Sequence, residues 1–435
     1  MKKYIKSCGL SFLKTIMRWL SSLILRKYKP AIIGITGSAG KTSTKAAVKA
    51  VVAHERDVYA SDKNYNNELG LPIAILCESL EDGVKGWIKI IWKGIKKIIK
   101  TDETYPEVLV LEYGIDRPGD MNYLLRIAKP HIAIMTAIGE TPVHIEFFAG
   151  KEAIVREKSK LIQALPATGF AILNIDDPDI MKVRGLTRAH VITFGFSNEA
   201  DVKIERFSNM TKDAYGASFK IEHKGNFVPM QLNRVIGKTH AYSACAGAAV
   251  GLILGMNLVK IAEALKDYDA PKGRLRLVKG IHHTIIIDDT YNASPIAMQE
   301  AIEVLKSVKA KRKIAILGDM LELGKHTFDA HEKIGMQIGK KIDMLITVGT
   351  RAKFIAEAAI KNGLDKRKVW NFMSTKDAGE FVSQKMQEGD IVLAKGSQGV
   401  RMEQVVKSMM AEPELAEKLL VRQNEAWTKK EGIYE

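Results

Sequence analysis

Short apolar, β-rich runs recur along the chain, separated by stretches long enough to hold a helix. Ala31 to Ile35, Val108 to Leu111, Ile132 to Thr136, Ala171 to Asn174 and Val191 to Phe194 are such runs. They read as near-continuous apolar segments, the pattern of strands covered on both faces. With helical segments between most of them, they predict a mainly parallel α/β sheet. The pattern changes between about 200 and 235, where Ala217 to Glu222 and Asn226 to Leu232 alternate around Lys224-Gly225. A small antiparallel hairpin is expected there. A small-residue helix follows over His240 to Leu254, then a hinge at Ala270-Pro-Lys-Gly-Arg274. Beyond it, strands predicted at Thr284 to Asp288, Ile314 to Leu317, Met344 to Val348 and Ile391 to Ala394 alternate with helices again. No internal repeat or low-complexity tract interrupts the sequence.

Two stretches carry a different pattern. In residues 1–30, Leu13, Ile16, Met17, Leu20 and Ile24 recur at helical spacing, with Lys14 and Arg18 on another face. Lys2, Lys3, Lys6, Lys14, Arg18, Arg26, Lys27 and Lys29 are unopposed by any acid, so half of the chain's net charge of +16 sits there. Such a basic amphipathic helix either lies on an anionic membrane surface or docks on the protein. Its apolar runs fall short of the ~20 residues that span a bilayer. Lys85 to Lys100 is similar: lysines 85, 89, 93, 96 and 100 line one side, and Trp87, Ile88, Ile91, Trp92, Ile95 and Ile98 supply apolar surface. It reads as a packed helix with a solvated face, or as a membrane-interface helix. No recognised nucleic-acid motif accompanies the charge, so nucleic acid is not an expected partner.

Length and composition add limits. A chain of 435 residues has room for two to three domains with real cores, and 46% hydrophobic with 27% charged residues is ordinary for a globular protein. Cys8, Cys77 and Cys245 are scattered and odd in number, which argues for a reducing compartment and against a disulfide framework or zinc site.

The chemistry concentrates at residues 31–44. The run Ala31 to Ile35 meets a small-residue loop, Thr36-Gly-Ser-Ala-Gly40, then Lys41 and Thr42 and a helix-forming stretch. Glycines 37 and 40 permit close backbone approach, so the amides of Gly37, Ser38, Ala39, Gly40, Lys41, Thr42 and Ser43 can face phosphate oxygens at the positive end of the following helix. Lys41 is then expected on the β- and γ-phosphates of ATP and the Thr42 hydroxyl on Mg²⁺. The strict pattern G-x-x-x-x-G-K-[ST] is not met, since Ile35 stands five before Gly40. Glu112 ends a buried strand where α/β sheets face their ligand crevice, as a Mg²⁺ ligand or a salt-bridged structural residue. His144 and Lys158, taken alone, read as an ordinary histidine and a solvated helix charge.

Taken as a set, these segments resemble the Mur ligase family, ATP-dependent enzymes that join amino acids or peptides to the cell-wall precursor. Thr36-Gly-Ser-Ala-Gly-Lys-Thr42 looks like that family's own P-loop. Within the family the chain is most similar to the D-alanyl-D-alanine-adding type. The matching segments are Asn64-Tyr-Asn-Asn-Glu-Leu-Gly-Leu-Pro72, Glu112-Tyr-Gly, Pro118-Gly-Asp-Met121, Leu173-Asn-Ile-Asp-Asp-Pro178, Gly273-Arg-Leu275, Asp288-Asp-Thr-Tyr-Asn-Ala-Ser-Pro295, Leu317-Gly-Asp-Met-Leu-Glu-Leu-Gly324 with His331, and Lys395-Gly-Ser397.

The resemblance implies an α/β fold with a central P-loop domain over 31–269 and a C-terminal Rossmann-like domain over 270–435, after a basic helix at 1–30. It implies ATP and two Mg²⁺ sites, held by Thr42, Glu112, His144 and a Lys158 carbamylated by CO₂. Arg274 is expected on the phosphates, Asp289 and Asn292 on the nucleotide, Lys395 and Ser397 at the incoming dipeptide, and Asn66 and Asn67 at the substrate. The implied partners are a nucleotide-sugar peptide, UDP-N-acetylmuramoyl-tripeptide, and D-alanyl-D-alanine, used by a cytoplasmic monomer. A related amide ligase with a different, pseudomurein-like acceptor and a non-catalytic ATP-binding scaffold are the alternatives. Three features depart from the family pattern. The P-loop begins after one basic helix, where the family places a domain that grips the UDP-sugar. His144 follows Gly139-Glu140 at a longer spacing, and the adenine-side asparagine is absent from His240-Ala-Tyr-Ser-Ala-Cys.

Overall fold

The computed structural model describes residues 2–81, 83–140, 142, 145–210 and 216–428. Helix α1 (Lys2–Tyr28) leads into β1 (Ala31–Thr36), which is followed by α2 (Lys41–Val52), β2 (Val58–Ala60), α3 (Gly70–Ile75), α4 (Val84–Ile99) and β3 (Val108–Glu112). Next come α5 (Asp120–Ile127), β4 (Ile132–Met135), α6 (Lys151–Gln163), β5 (Phe170–Asn174), α7 (Pro178–Met181) and β6 (His190–Gly195). Strands β7 (Val202–Met210), β8 (Gly216–His223) and β9 (Asn226–Asn233) complete a nine-stranded sheet of order β2-β3-β1-β4-β5-β6-β7-β8-β9. Its strands are parallel through β7 and antiparallel thereafter.

Alternation along β1 explains the layering. Ile32 packs with α1, α3, α4, α5 and α6 on one face. Ile33 and Ile35 pack on the other, with α2 and with α8 (Lys238–Ile253) and α9 (Leu258–Lys266). Burial on both faces is why these strands read as continuous apolar runs. Small residues let α2 and α8 lie close: a Cβ on Gly247 would meet the Ala47 backbone at 3.2 Å.

A second sheet has the order β10-β11-β15-β12-β13-β14, made by β10 (Arg276–Gly280), β11 (Thr284–Asp289), β12 (Arg312–Gly318), β13 (Met344–Val348), β14 (Val369–Phe372) and β15 (Asp390–Lys395). Only β10 runs antiparallel. Helix α10 (Pro295–Ser307) follows β11 and is capped by the Ser294 hydroxyl.

The hairpin expected around Lys224-Gly225 forms as β8 and β9, with both turn residues at positive φ (51° and 79°), as a tight hairpin turn requires. It is not separate, because β7 joins it edge-on to the parallel sheet. Helix α1 buries Met17, Leu20 and Ile24 against the protein, so one of its faces is docked. Among the described residues no helix is long and apolar enough to cross a membrane.

Candidate active site

Strand β1 is flanked by β3 and β4, so the sheet's order reverses there and the carboxyl ends of the three strands open a crevice. The loop from Gly37 to Gly40 fills it. A Cβ on Gly37 would lie 2.0 Å from the Thr136 Oγ1, so a side chain there would displace Thr136. Gly40 has a left-handed φ of 81° and lets α2 start without a side-chain cap. The loop is pinned from β4's end: Thr136 Oγ1 donates to Ala39 O at 2.5 Å, and Ser38 N–H donates to Ala137 O at 2.6 Å. The first N–H groups of α2 therefore point into the crevice without intrahelical partners.

Two ammonium groups meet on one carbonyl here. Lys41 Nζ donates to Gly37 O at 2.7 Å and Lys158 Nζ, from α6, donates to the same oxygen at 3.0 Å. Burial holds Lys158 well below its ordinary lysine value, and the neighbouring Lys41 lowers it further. Burial lowers Lys41 too; Glu112 opposes the shift and Arg274 adds to it. A buried, readily neutral amine at Lys158 is a nucleophile toward CO₂, which suits the expected carbamate chemically.

Glu112 ends β3 under the loop. Its Oε2 is 3.4 Å from Thr42 Oγ1, and its Oε1 is 2.9 Å from Lys45 Nζ, with side-chain exposures of 1% and 6% for Glu112 and Lys45. One Mg²⁺ could therefore be shared by the Thr42 and Glu112 oxygens, a hard-oxygen set that fits the ion. His144 lies outside the described residues, and among the described residues no cluster of three or more His, Cys, Asp or Glu side chains forms a metal site.

The second sheet closes the crevice. Arg274 stacks its guanidinium 4.2 Å from the Tyr291 ring centre, and Tyr291 N–H donates to Gly273 O at 3.1 Å. Gly273 has a φ of 68°, and a Cβ there would sit 2.8 Å from Tyr291 N. A cavity of about 110 Å³ lies between the units, lined by Ser38, Lys41, Asn64, Asn66, Arg274 and Asn292 among others. Two donors in it, Ser38 Oγ and Arg274 Nε, are buried with no hydrogen-bond partner. A buried unpartnered donor is costly, and a polyanion entering this cavity would satisfy both.

Several expected residues meet in a neighbouring network. Asp289 Oδ2 pairs with Lys395 Nζ at 2.7 Å, and Lys395 also donates to Asn292 O at 2.9 Å. Asn292 Oδ1 accepts from Ala293 and Gln398 N–H groups. Ser397 Oγ accepts from Leu321 N–H at 2.9 Å. Lys395 is fully buried, so its ammonium orders Asp289 and Asn292 instead of standing free for a substrate. Asn66 faces the cavity, whereas the Asn67 Oδ1 accepts from Leu69 and Gly70 N–H in the turn that leads into α3. A larger pocket of about 580 Å³ adjoins the other side of the loop, lined by Asn174, Asp176, Lys238, Tyr242 and Ser243 among others.

Sequence reasoning missed Lys45, Asn64, Tyr291 and Tyr242. Lys45 stands one helical turn after Lys41, a spacing that places both on one face of α2; that was its only signal. Tyr242 occupies the segment where the family's adenine-side asparagine is absent, and its hydroxyl donates to Asp176 Oδ2 at 2.8 Å.

The chain matches known proteins over most of its length. Residues 93–251 match the Mur ligase middle domain, and residues 273–398 match the Mur ligase, glutamate ligase domain. The chain is 30% identical over 403 residues to the UDP-N-acetylmuramoyl-tripeptide–D-alanyl-D-alanine ligase of Bacillus subtilis, covering 92% of this chain and 80% of that one. It is 29% identical to the enzyme of the same name from Rickettsia prowazekii, covering 87% and 78%. Its fold superposes on the crystal structure of the MurF ligase from Thermotoga maritima in complex with ADP, with a TM-score of 0.76 and 25% identity over 92% of this chain and 84% of the other. The two matched domains together with the Bacillus relative place this chain in the Mur ligase family.

Proposed function

We propose that the protein is an ATP-dependent amide ligase that adds D-alanyl-D-alanine to UDP-N-acetylmuramoyl-tripeptide. The observation that carries the site assignment is the interdomain cavity, where the P-loop and Lys41 face Arg274 across two unpartnered buried donors.

The tripeptide carboxylate is a poor electrophile, so ATP first phosphorylates it. A carboxylate oxygen attacks the γ-phosphorus and the bond to ADP breaks. The dipeptide amine then attacks the acyl carbonyl, the amide forms and phosphate leaves with the former carboxylate oxygen. Both steps bring anions together, and the cations on this cradle offset that repulsion. In this reading Lys41 leaves Gly37 O for the β- and γ-phosphates, and Arg274 reaches them from the second unit. Ser38, Ala39, Gly40, Thr42 and Ser43 wrap the phosphates. Mg²⁺ would be held by Thr42 and Glu112, with His144 and a carbamylated Lys158 completing the sites, and supplies charge neutralisation on the phosphates. Asp289 and Asn292, ordered by Lys395, border the nucleotide; Ser397 and Asn66 border the peptide substrates. Units 31–269 and 270–435 closing together would exclude water from the acyl phosphate. The enzyme would work as a cytoplasmic monomer, with residues 1–30 against the inner face of the membrane.

Phosphate release from ATP and Mg²⁺, with and without UDP-N-acetylmuramoyl-tripeptide and D-alanyl-D-alanine, tests the proposal. Release needing both substrates and abolished in Lys41→Ala is expected. ATP binding without turnover would refute the acceptor assignment, and no ATP binding would refute the enzyme reading. Carbamylation has its own readout: ¹³C-bicarbonate should give a carbamate resonance that disappears in Lys158→Gln.

A further inference from the structure

Helix α4 carries more apolar surface than it docks on the core. Its buried positions are Gly86, Ile90 and Gly94. The glycines let it lie tightly on the protein, since a Cβ on Gly94 would meet Leu76 Cδ2 at 2.9 Å and Leu20 Cδ1 at 3.4 Å. Trp87, Ile91 and Ile98 also pack on the core, but a second set of large apolar residues faces outward: Ile88 and Trp92 are each 62% exposed and Ile99 is 79% exposed, with Val84 and Ile95 beside them. Amphipathic helices of globular proteins bury that stripe, and an exposed contiguous apolar face marks an interaction site.

The flanks of the face identify its partner. Residues 84–100 contain six lysines and no acid. Lys93 and Lys97 pair with Glu78 on the inner flank. On the outer flank the Lys96 ammonium lies 5.6 Å from the Trp92 ring centre. Lys93, Lys96, Lys97 and Lys100, with Glu78 and Asp102, surround a cavity of about 340 Å³. Helix α1 extends the surface. Lys27 Nζ donates to Lys97 O and Ile98 O, which clasps the two helix ends together. On α1, Phe12, Ile16, Trp19 and Leu23 follow i, i+4, i+7, i+11 spacing; Phe12 and Trp19 of this stripe are exposed, while Ile16 packs partly on the core.

We infer that α4, with the outer stripe of α1, is a peripheral docking surface for anionic phospholipid. Ile88, Trp92, Ile95 and Ile99 enter the boundary between headgroups and acyl chains, and Lys96 and Lys100 meet headgroup phosphates around the cavity. An apolar face with a tryptophan and a lysine fringe is matched to such an interface by both polarity and charge. The inference rests on the membrane contact proposed above and moves its centre from residues 1–30 to α4.

Co-sedimentation of the full chain with phosphatidylcholine vesicles, and with vesicles holding about 30% phosphatidylglycerol, tests it. Binding to the anionic vesicles only is expected, with a blue shift of tryptophan emission. Ile88→Ser/Trp92→Ser/Ile95→Ser should weaken binding at least about tenfold, and Lys96→Gln/Lys100→Gln about 25-fold, while phosphate release by both variants is unchanged. No binding by the wild-type chain overturns the inference. Loss only in Lys2→Gln/Lys3→Gln/Lys6→Gln also overturns it, but leaves the contact through residues 1–30 standing. A wild-type dimer made monomeric by the serine variant, or competition by RNA instead of lipid, would assign the face to a second copy or to nucleic acid and overturn it likewise. The ligase assay on the same preparations keeps failure of the docking surface distinct from failure of the enzymatic reading.

Discussion

Lys45→Met is the substitution whose consequence the structure fixes most tightly. It removes an ammonium 2.9 Å from Glu112 Oε1, where the two side chains are 6% and 1% exposed. Their attraction at that distance is about 6 kcal/mol for an effective dielectric constant of about 20. Desolvation offsets much of it, but deleting Lys45 leaves the buried carboxylate to the Thr42 hydroxyl at 3.4 Å and the charge of Lys41, and breaking a buried pair costs about 3–5 kcal/mol. Methionine restores the volume, so cavity formation does not confuse the result. For a unit of this size the cost corresponds to a fall of about 6–20 °C in the first thermal transition. Differential scanning calorimetry on wild type, Lys45→Met, Glu112→Gln and the double variant closes the cycle. The double variant should recover at least about 2 kcal/mol relative to the sum of the singles. Strict additivity, or a Lys45→Met transition within about 1 °C of wild type, would refute the claim that Lys45 holds Glu112 in place.

Three further outcomes follow from the same geometry. Arg274→Ala removes a guanidinium whose Nε is buried without a partner beside the P-loop, so the KM for ATP should rise about 10- to 100-fold, the worth of a charged hydrogen bond; an unchanged KM in steady-state kinetics would sink the phosphate role. Gly273→Ala must adopt a φ of 68° with its Cβ 2.8 Å from Tyr291 N, so it should cost at least about 1–2 kcal/mol and raise the KM for ATP through displaced Arg274 and Tyr291, as thermal and kinetic assays would detect. His331 is buried, accepts from Met320 N–H through Nε2, and is pushed down to about 4 by burial. Its neutral form is the folded one and the unfolded chain protonates first, so stability is present above about pH 6.5 and is lost as pH falls towards 4, by up to about 3 kcal/mol; urea midpoints should fall over that window, and His331→Gln should flatten the slope.

The parallel strands were legible because burial on both faces writes them as unbroken apolar runs. Strands at the edges of the sheets were not: β2 has three residues and β14 four, and β10 places Arg276 and Lys279 among its apolar positions. Strand β7 sets Lys203, Glu205, Arg206 and Asn209 among Val202, Ile204 and Phe207, so the link joining the hairpin to the main sheet is not an unbroken apolar run. At the site, the P-loop was legible because phosphate binding demands glycines, a lysine and a hydroxyl in a fixed order. Lys45 was not, since a helical lysine looks the same whether it faces water or a buried carboxylate. The case of α4 is sharper. Periodicity separated its lysines from its apolar residues, but could not say which apolar residues dock: Trp87, Ile91 and Ile98 pack on the core with Gly86 and Gly94, whereas Ile88, Trp92 and Ile99 are exposed.

The contacts across the hinge also say why the nucleotide and the second unit should act together. Helix α8 touches the P-loop helix through Thr44 Oγ1 and Ser243 Oγ at 3.3 Å and through Ala47 and Gly247. The same helix holds the hinge: His240 bonds Arg274 O at 2.9 Å and Tyr268 OH at 2.7 Å, while Thr239 N–H donates to Glu300 of α10 at 2.6 Å. Helix α8 thus contacts both the second unit and α2, whose first turn carries Lys41 and Thr42. Phosphates that draw Arg274 inward and Lys41 off Gly37 O would bias both ends of one packed chain of elements in the same direction. By reciprocity, whatever closes the second unit tightens nucleotide binding by the factor that nucleotide favours closure. In the proposed mechanism, a site shared in this way between the P-loop and Arg274 has its cations together when the two units are together, the condition under which an acyl phosphate would form out of reach of water.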